Sequence, residues 1–291
     1  MIRRPPRSTR KESSAASDVY KRQILITGGA GSVGSKLTQR LLEYPVRAIR
    51  VLDIDEHALF HLGHSLNDSR LRLLLGDVQN LERVEMAGFD VDIIFHTAAI
   101  KNIEISEFNP FETIDTNILG TINMIKMVMK NKPVKFFNIS TDKAVDPTTL
   151  YGSTKQIGER LIKWANNHVN SVKFSTIRFG NVIETRGNVF EIWKEQSKTN
   201  IPLSITDNKM KRYFFHIDEA VDFILKCIPI SKGGEIFVPK MKLHSIKDLA
   251  TKISKNHKLI GLRKGEKMSE ILINEFEKKS AIEKNNMWII K

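Results

Sequence analysis

The sequence predicts an α/β protein: an open, doubly wound parallel sheet followed by a smaller C-terminal lobe. Three observations predict it. Short, near-continuous apolar runs recur along the first part of the chain, as strands buried on both faces require. Segments with apolar residues at three- and four-residue spacing separate them, as crossover helices require. Glycine-rich or acidic turns follow several runs, where the ligand-binding loops of such sheets lie.

Ile24–Thr27 is the first strand, and glycines end it. A helix opens at Ser32, with Val33, Leu37 and Leu41 on one face, and Pro45 follows it. Ala48–Leu52 is the second strand, with Asp53 at its end, and residues 55–66 form a short helix. Leu71–Leu75 is the third strand, before Gly76 and Asp77, and Val91–Phe95 the fourth. Residues 111–130 carry helical periodicity through Ile114, Ile118, Ile122, Ile125 and Met129. Val134–Ile139 is the fifth strand, and residues 151–167 a helix with Ile157, Leu161 and Trp164 at apolar spacing. Val172–Ile177 is the sixth strand. Right-handed crossovers assemble these strands into one open sheet. The units expected are a leader (1–22), a sheet domain (23–181) and a lobe (182–291), with 211–226 a strand and helix returning toward the sheet.

Composition narrows the classes. The 291 residues are 41% hydrophobic and 27% charged, which excludes a fibrous or wholly disordered chain. The single cysteine, Cys227, excludes an internal disulfide framework and fits a reducing compartment, so a cytoplasmic location is expected. No run approaches the roughly 18 apolar residues of a membrane span. The formal charge is +13; residues 1–22 hold seven basic residues against two acidic ones, leaving +8 for the remainder. That mild bias suits anionic ligands. Without zinc-finger spacing or aromatic–basic alternation, neither a metal nor nucleic acid is expected. The string RRPPRSTR…SSAASDVYKRQ resembles a translated sequencing adapter and is expected to be non-native or disordered. A presequence and a basic arm are the other readings.

The first motif is Thr27-Gly28-Gly29-Ala30-Gly31-Ser32-Val33-Gly34, set between strand and helix. Gly28 permits the tight turn, Gly31 removes a Cβ that would block a pyrophosphate, and Gly34 lets the helix pack close. The N–H groups of Ser32 and Val33 then face the diphosphate. Asp53 is placed to accept hydrogen bonds from the adenosine ribose and to repel a 2′-phosphate, which favours NAD, with NADP the alternative. Asp77 and Val78 are candidates to border the adenine; the plain alternative for Asp77 is a turn or cap.

The second motif carries chemistry. The fifth strand runs into Ser140-Thr141-Asp142-Lys143, and Tyr151-Gly152-Ser153-Thr154-Lys155 follows. Tyr151 and Lys155 share a helix face. An ammonium lowers a nearby phenol's pKa, so this pair suits removal of an alcohol proton, with Thr141 bonded to the same oxygen. Lys155 is also a candidate to hold the nicotinamide ribose.

With these motifs the chain resembles the extended short-chain dehydrogenase/reductase superfamily. Within it, the chain is similar to the polysaccharide-biosynthesis group of inverting UDP-N-acetylglucosamine 4,6-dehydratases. The matching strings are ILITGGAGSVG at 24–34, GDVQNLERV at 76–84, FHTAAIKN at 95–102, NPFETIDTNILGT at 109–121 and NISTDKAVDPTTLYGSTK at 138–155. RFGNV at 178–182, RGNV at 186–189, GGEIFVPK at 233–240 and GLRKGEKMSEIL at 261–272 continue it. The resemblance implies a Rossmann-like NAD(P)-binding domain over 23–181 and a mainly substrate-binding lobe over 182–291. It implies C4 oxidation of a UDP-sugar with Tyr151 as base, loss of the C5 proton to Lys143, departure of the C6 hydroxyl assisted by Asp142, and hydride return to C6. Ala98 joins the cofactor set, and Lys101, Asn181, Arg186, Arg212 and Arg263 are candidate substrate contacts. A homo-oligomer is expected. The chain departs from the pattern at Asn102, where relatives carry histidine, and at Glu184, where they carry glycine. The competing readings are an epimerase or reductase using the same Thr-Tyr-Lys chemistry, and a nonenzymatic NAD sensor.

Overall fold

The computed structural model describes residues 17–291. The first part alternates strand and helix, with one helix, α3, not read from the sequence: β1 (Gln23–Thr27), α1 (Ser32–Leu42), β2 (Ala48–Asp53), α2 (Glu56–Leu66), β3 (Leu71–Leu75), α3 (Leu81–Ala87) and β4 (Ile93–His96). Then come α4 (Ile103–Phe108), α5 (Pro110–Ile114), a π-helical turn (Asp115–Leu119), α6 (Gly120–Asn131), β5 (Lys135–Thr141), α7 (Leu150–His168) and β6 (Lys173–Phe179). The second part holds β7 (Asn181–Val182), α8 (Val189–Lys198), β8 (Leu203–Ile205), β9 (Lys211–Phe215), α9 (Ile217–Cys227) and β10 (Ile236–Pro239). It ends with β11 (Leu243–Ser245), α10 (Ile246–Thr251), β12 (His257–Leu259), α11 (Glu275–Lys278), β13 (Ile282–Lys284) and β14 (Met287–Ile290).

The large sheet has the order β13-β14-β10-β6-β5-β4-β1-β2-β3, parallel from β10 to β3, with β14 and β13 added antiparallel. Strand order reverses between β1 and β4, which opens a crevice at the carboxyl ends of those strands. Alternation along β1 splits the core: Ile24 and Ile26 pack with Leu37 and Leu41 on one face, and Leu25 with Met124, Phe136 and Phe174 on the other.

The C-terminal part is less separate than expected. β9 joins β7 and β11 in a small sheet of its own, and α9 packs against α1. β10 and β14 enter the large sheet with Phe237, Val238, Met287 and Ile290 buried, and the exposed β13 adds to its edge. The lobe's own core is built on Trp193, Leu203, Ile205, Met210 and Ile246.

Three sequence expectations are corrected. The leader does not remain apart up to residue 22: Val19 is buried in the core, Asp18 pairs with Lys135, and Arg22 pairs with Asp92. The rest of that leader, residues 1–16, lies outside the described residues. The helix over 111–130 is broken by the π-helical turn, whose extra residue shifts the buried face. Asn117, Met124, Met127 and Val128 point inward, while Ile114 and Met129 are exposed. On α7, the apolar spacing marks the outer face, not the inner one. Ile157 and Trp164 are exposed, whereas Tyr151, Lys155 and Glu159 are buried against the sheet.

Candidate active site

The glycine turn takes its shape from close backbone approaches. Gly28 has φ +63°, and a Cβ there would lie 2.6 Å from the Ala98 Cα. A Cβ on Gly34 would lie 2.5 Å from the Gly28 carbonyl oxygen, so any side chain would push α1 off the turn. Gly31 caps α1 without a side-chain hydrogen bond, leaving the first N–H groups of an eleven-residue helix facing the crevice. At the end of β2, Asp53 braces the turn: Oδ2 accepts from the Ala30 N–H at 2.9 Å, and Oδ1 from the Asp55 N–H at 3.1 Å. Asp77 accepts from the Gln79 N–H at 2.9 Å, so it serves a turn and also lines the crevice. Val78, against Gly120, forms the same wall. An uncapped helix N-terminus, a Cβ-free cradle and a carboxylate at the second strand fit a dinucleotide.

This crevice opens into one cavity of about 1030 Å³. Gly28, Gly31, Ser32, Val33, Gly34, Asp53, Asp77, Val78 and Ala98 line one part of it. Thr141, Lys143, Tyr151 and Lys155 line the floor, and Lys101, Asn181, Arg186, Arg212 and Arg263 the remaining walls. Among the expected site residues, Asp142 alone is left out. Its side chain is fully buried behind Lys143 and Thr141.

β5 ends in a short 3₁₀ turn that aims these groups. Lys143 Nζ donates to Asp142 Oδ1 at 2.9 Å and to Asn181 Oδ1 at 3.2 Å, and Thr141 Oγ1 donates to Asp142 Oδ1 at 3.0 Å. Among the described residues, Asp142 Oδ2 has no hydrogen-bond partner. Asp142 therefore does not line the cavity and reaches it through Lys143 and Thr141.

α7 begins at Thr149, which caps it by accepting from the Gly152 N–H. At its second residue, burial pushes the Tyr151 phenol up; the Thr141 hydroxyl works against that, and the Asp142 charge reinforces it. Burial brings the Lys155 ammonium down to about 8, against the pull of Glu159. At Tyr151, burial therefore outweighs the Thr141 hydrogen bond.

Several supporting residues were not read from the sequence. Asn117, on the π-helical turn, accepts from the Ile100 N–H at 2.8 Å and donates to the Ile100 carbonyl and to Thr154 Oγ1, each at 3.0 Å. It ties the loop after β4 to α7. His96 sits between Thr27 Oγ1 at 2.7 Å and Thr121 Oγ1 at 3.2 Å; burial first, and the Lys155 charge second, bring it down to about 3. Arg178 on β6 grips Glu159 and Glu277 with hydrogen bonds of 2.6–3.0 Å, and Ser140 Oγ donates to Glu159 at 2.6 Å. Glu159 follows Lys155 by one helical turn, a spacing that signals the pair; Asn117 gave no such signal.

The arginines divide. Arg212 is buried and committed to Glu266 and to the carbonyls of Lys211, Lys267 and Met268. Arg263 pairs with Glu104 at 2.7 Å across the cavity mouth. Arg186 points away from the lobe, with Nη1 3.6 Å from Asp55 just past β2. Lys101 donates to the Arg186 carbonyl at 3.2 Å, and burial lowers its pKa.

The family described as polysaccharide biosynthesis protein matches residues 24–291. An uncharacterized membrane protein of Methanocaldococcus jannaschii is 41% identical over 290 residues, covering 94% of this chain and 87% of that one. Among the described residues, no helix is long and apolar enough to cross a membrane. A UDP-N-acetylglucosamine 4,6-dehydratase (inverting) of Campylobacter jejuni is 39% identical over 276 residues, covering 93% and 83%. A UDP-glucose 4-epimerase of Rickettsia bellii is 35% identical over 279 residues, covering 92% and 82%. The X-ray structure of Pen from Bacillus thuringiensis superposes with a TM-score of 0.90 at 35% identity, covering 94% and 90%.

Proposed function

The chain belongs to the polysaccharide biosynthesis protein family, and from that membership we propose that it dehydrates a UDP-N-acetylhexosamine, UDP-GlcNAc first among them, to a 4-keto-6-deoxy sugar nucleotide with inversion at C5. The observation that carries the reading is Lys143, on the cleft floor with Thr141 and Tyr151, paired at 2.9 Å with Asp142 buried directly behind it. An epimerase acting at C4 alone has no use for a second acid–base pair. The inverting relatives of Campylobacter jejuni support the substrate and the stereochemistry.

Gly28, Gly31, Ser32, Val33, Gly34, Asp53 and Lys155 would hold NAD, which would supply hydride acceptance from C4 and hydride return to C6. The protein moves the protons. Tyr151 takes the proton of the C4 hydroxyl, with Thr141 bonded to the same oxygen. The resulting ketone acidifies the C5 proton. A proton passed along the Lys143–Asp142 hydrogen bond turns ammonium and carboxylate into amine and acid, which gives both groups the state elimination needs. Lys143, facing the cleft, takes the C5 proton. Asp142, from behind, protonates the departing C6 hydroxyl through Thr141, so Asp142 is a positioning residue. Asn181, Arg186, Arg212 and Arg263 remain the candidate substrate contacts, with Arg186 the weakest because it faces Asp55.

The cytoplasm, where sugar nucleotides and NAD are made, is the proposed location. Self-association is proposed through the exposed apolar face of Ile157, Trp164, Phe108 and Phe111. The second reading, a UDP-sugar 4-epimerase, draws on the Rickettsia relatives. Incubation with UDP-GlcNAc and NAD, followed by proton NMR, tests both. A new C6 methyl signal supports dehydration. A C4 epimer without a methyl signal favours the second reading.

A further inference from the structure

The loop between β7 and α8 crosses the cofactor half of the cleft. Its Arg186 N–H donates to Ser32 Oγ, the first residue of α1, at 3.0 Å. Its Arg186 carbonyl accepts from Lys101 Nζ, on the opposite wall, at 3.2 Å. Its Arg186 guanidinium lies 3.6 Å from Asp55, two residues beyond Asp53. One residue thus bridges the glycine turn, the end of β2 and the loop after β4. The neighbouring backbone is bent at two left-handed positions, Glu184 (φ +67°) and Gly187 (φ +69°), where a segment can pivot.

We propose that residues 184–187 form a strap that closes over the dinucleotide groove, with Arg186 as its clasp, so that the cofactor is retained from one turnover to the next. The inference rests on the dinucleotide reading of the groove and deepens it. It moves Arg186 from the substrate to the cofactor. The chemistry makes retention cost-free to the reaction: a hydride taken and returned within one turnover leaves the cofactor as it began, so release is never required.

A strap differs from a simple binding interaction in its kinetics. Removing a simple interaction raises the release rate alone. Loosening a gate raises entry and release together, and the equilibrium constant moves less than either rate. Entry and release of NADH are followed by nicotinamide fluorescence in the wild type, Arg186→Ala and Asp55→Asn. Asp55→Asn opens the same clasp from the other side and keeps a good cap for α2. Lys130→Ala, which removes an exposed ion pair with Glu85 away from the groove, is the control. Both clasp variants are expected to speed entry and release by roughly twofold to fivefold, the range for one exposed ion pair, with Lys130→Ala unchanged. Faster release with unchanged entry, or no change in either rate, overturns the strap and leaves the dinucleotide reading standing. Absence of saturable NADH binding to the wild type overturns both.

Discussion

Replacing Lys143 by glutamine separates elimination from oxidation. Nζ of Lys143 donates to Asp142 Oδ1 at 2.9 Å and to Asn181 Oδ1 at 3.2 Å, and the Asp142 carboxylate is fully buried with Oδ2 unpartnered. Alanine would leave that buried charge without its cation, a loss of about 3–5 kcal/mol that confuses folding with catalysis. Glutamine keeps an N–H donor toward Asp142 and removes the base. The expected stability loss is then about 1–3 kcal/mol, small enough for a folded protein at 25 °C. Dehydration should fall by about 10²–10⁴, or about 3–5 kcal/mol of barrier, while C4 oxidation persists as transient NADH absorbance with UDP-GlcNAc. Solvent deuterium at C5, read by NMR, should nearly vanish from the product. Tyr151→Phe should instead suppress absorbance and product alike. If Lys143→Gln dehydrates and incorporates deuterium near the wild-type rate, Lys143 is not the C5 base, and the proton transfer to Asp142 has no role.

Three further outcomes are expected. Asp53 should make NAD bind at least about tenfold tighter than NADP, and Asp53→Ser should narrow the ratio; calorimetric titration with both nucleotides reads it. His96 is held neutral in the fold, down to about 3, so between its unfolded pKa near 6.5 and that value the unfolded chain binds more protons. Stability from this group is complete above pH 6.5 and is lost as pH falls toward 3, on the order of several kcal/mol; urea unfolding across that range should show a shallower acid limb for His96→Gln. Glu184 holds φ +67°, so Glu184→Gly should raise stability by about 1 kcal/mol, seen as a higher melting temperature; a lower one would mean that the Glu184 side chain supports the loop.

What the sequence by itself determined lies within single elements. The glycine turn, Asp53 and Asp77 at strand ends, the Thr141-Asp142-Lys143 run and the Tyr151/Lys155 pair are all set by short spacings. A strand, a turn or one helical pitch turns such a spacing directly into geometry. The open parallel sheet followed too, because crossover handedness leaves few arrangements; its strand order came from the tertiary structure. Tertiary structure decided which way each element faces and what meets across the cleft. Apolar spacing on α7 marked Ile157 and Trp164, yet the fold turns Lys155 to the cavity and buries Glu159, since a polar group paired and hydrogen-bonded, as Glu159 is with Arg178 and Ser140, can be sequestered and an apolar stripe can remain outside. One extra residue in the π-helical turn re-aimed Asn117 and broke the period of the helix over 111–130. Asp142 and Lys143 are neighbours in sequence, but only packing put one behind the wall and the other in the cavity. Arg186 meets Ser32 across 154 residues and Lys101 across 85. No local pattern encodes such pairings, because they depend on the path of all the chain between them.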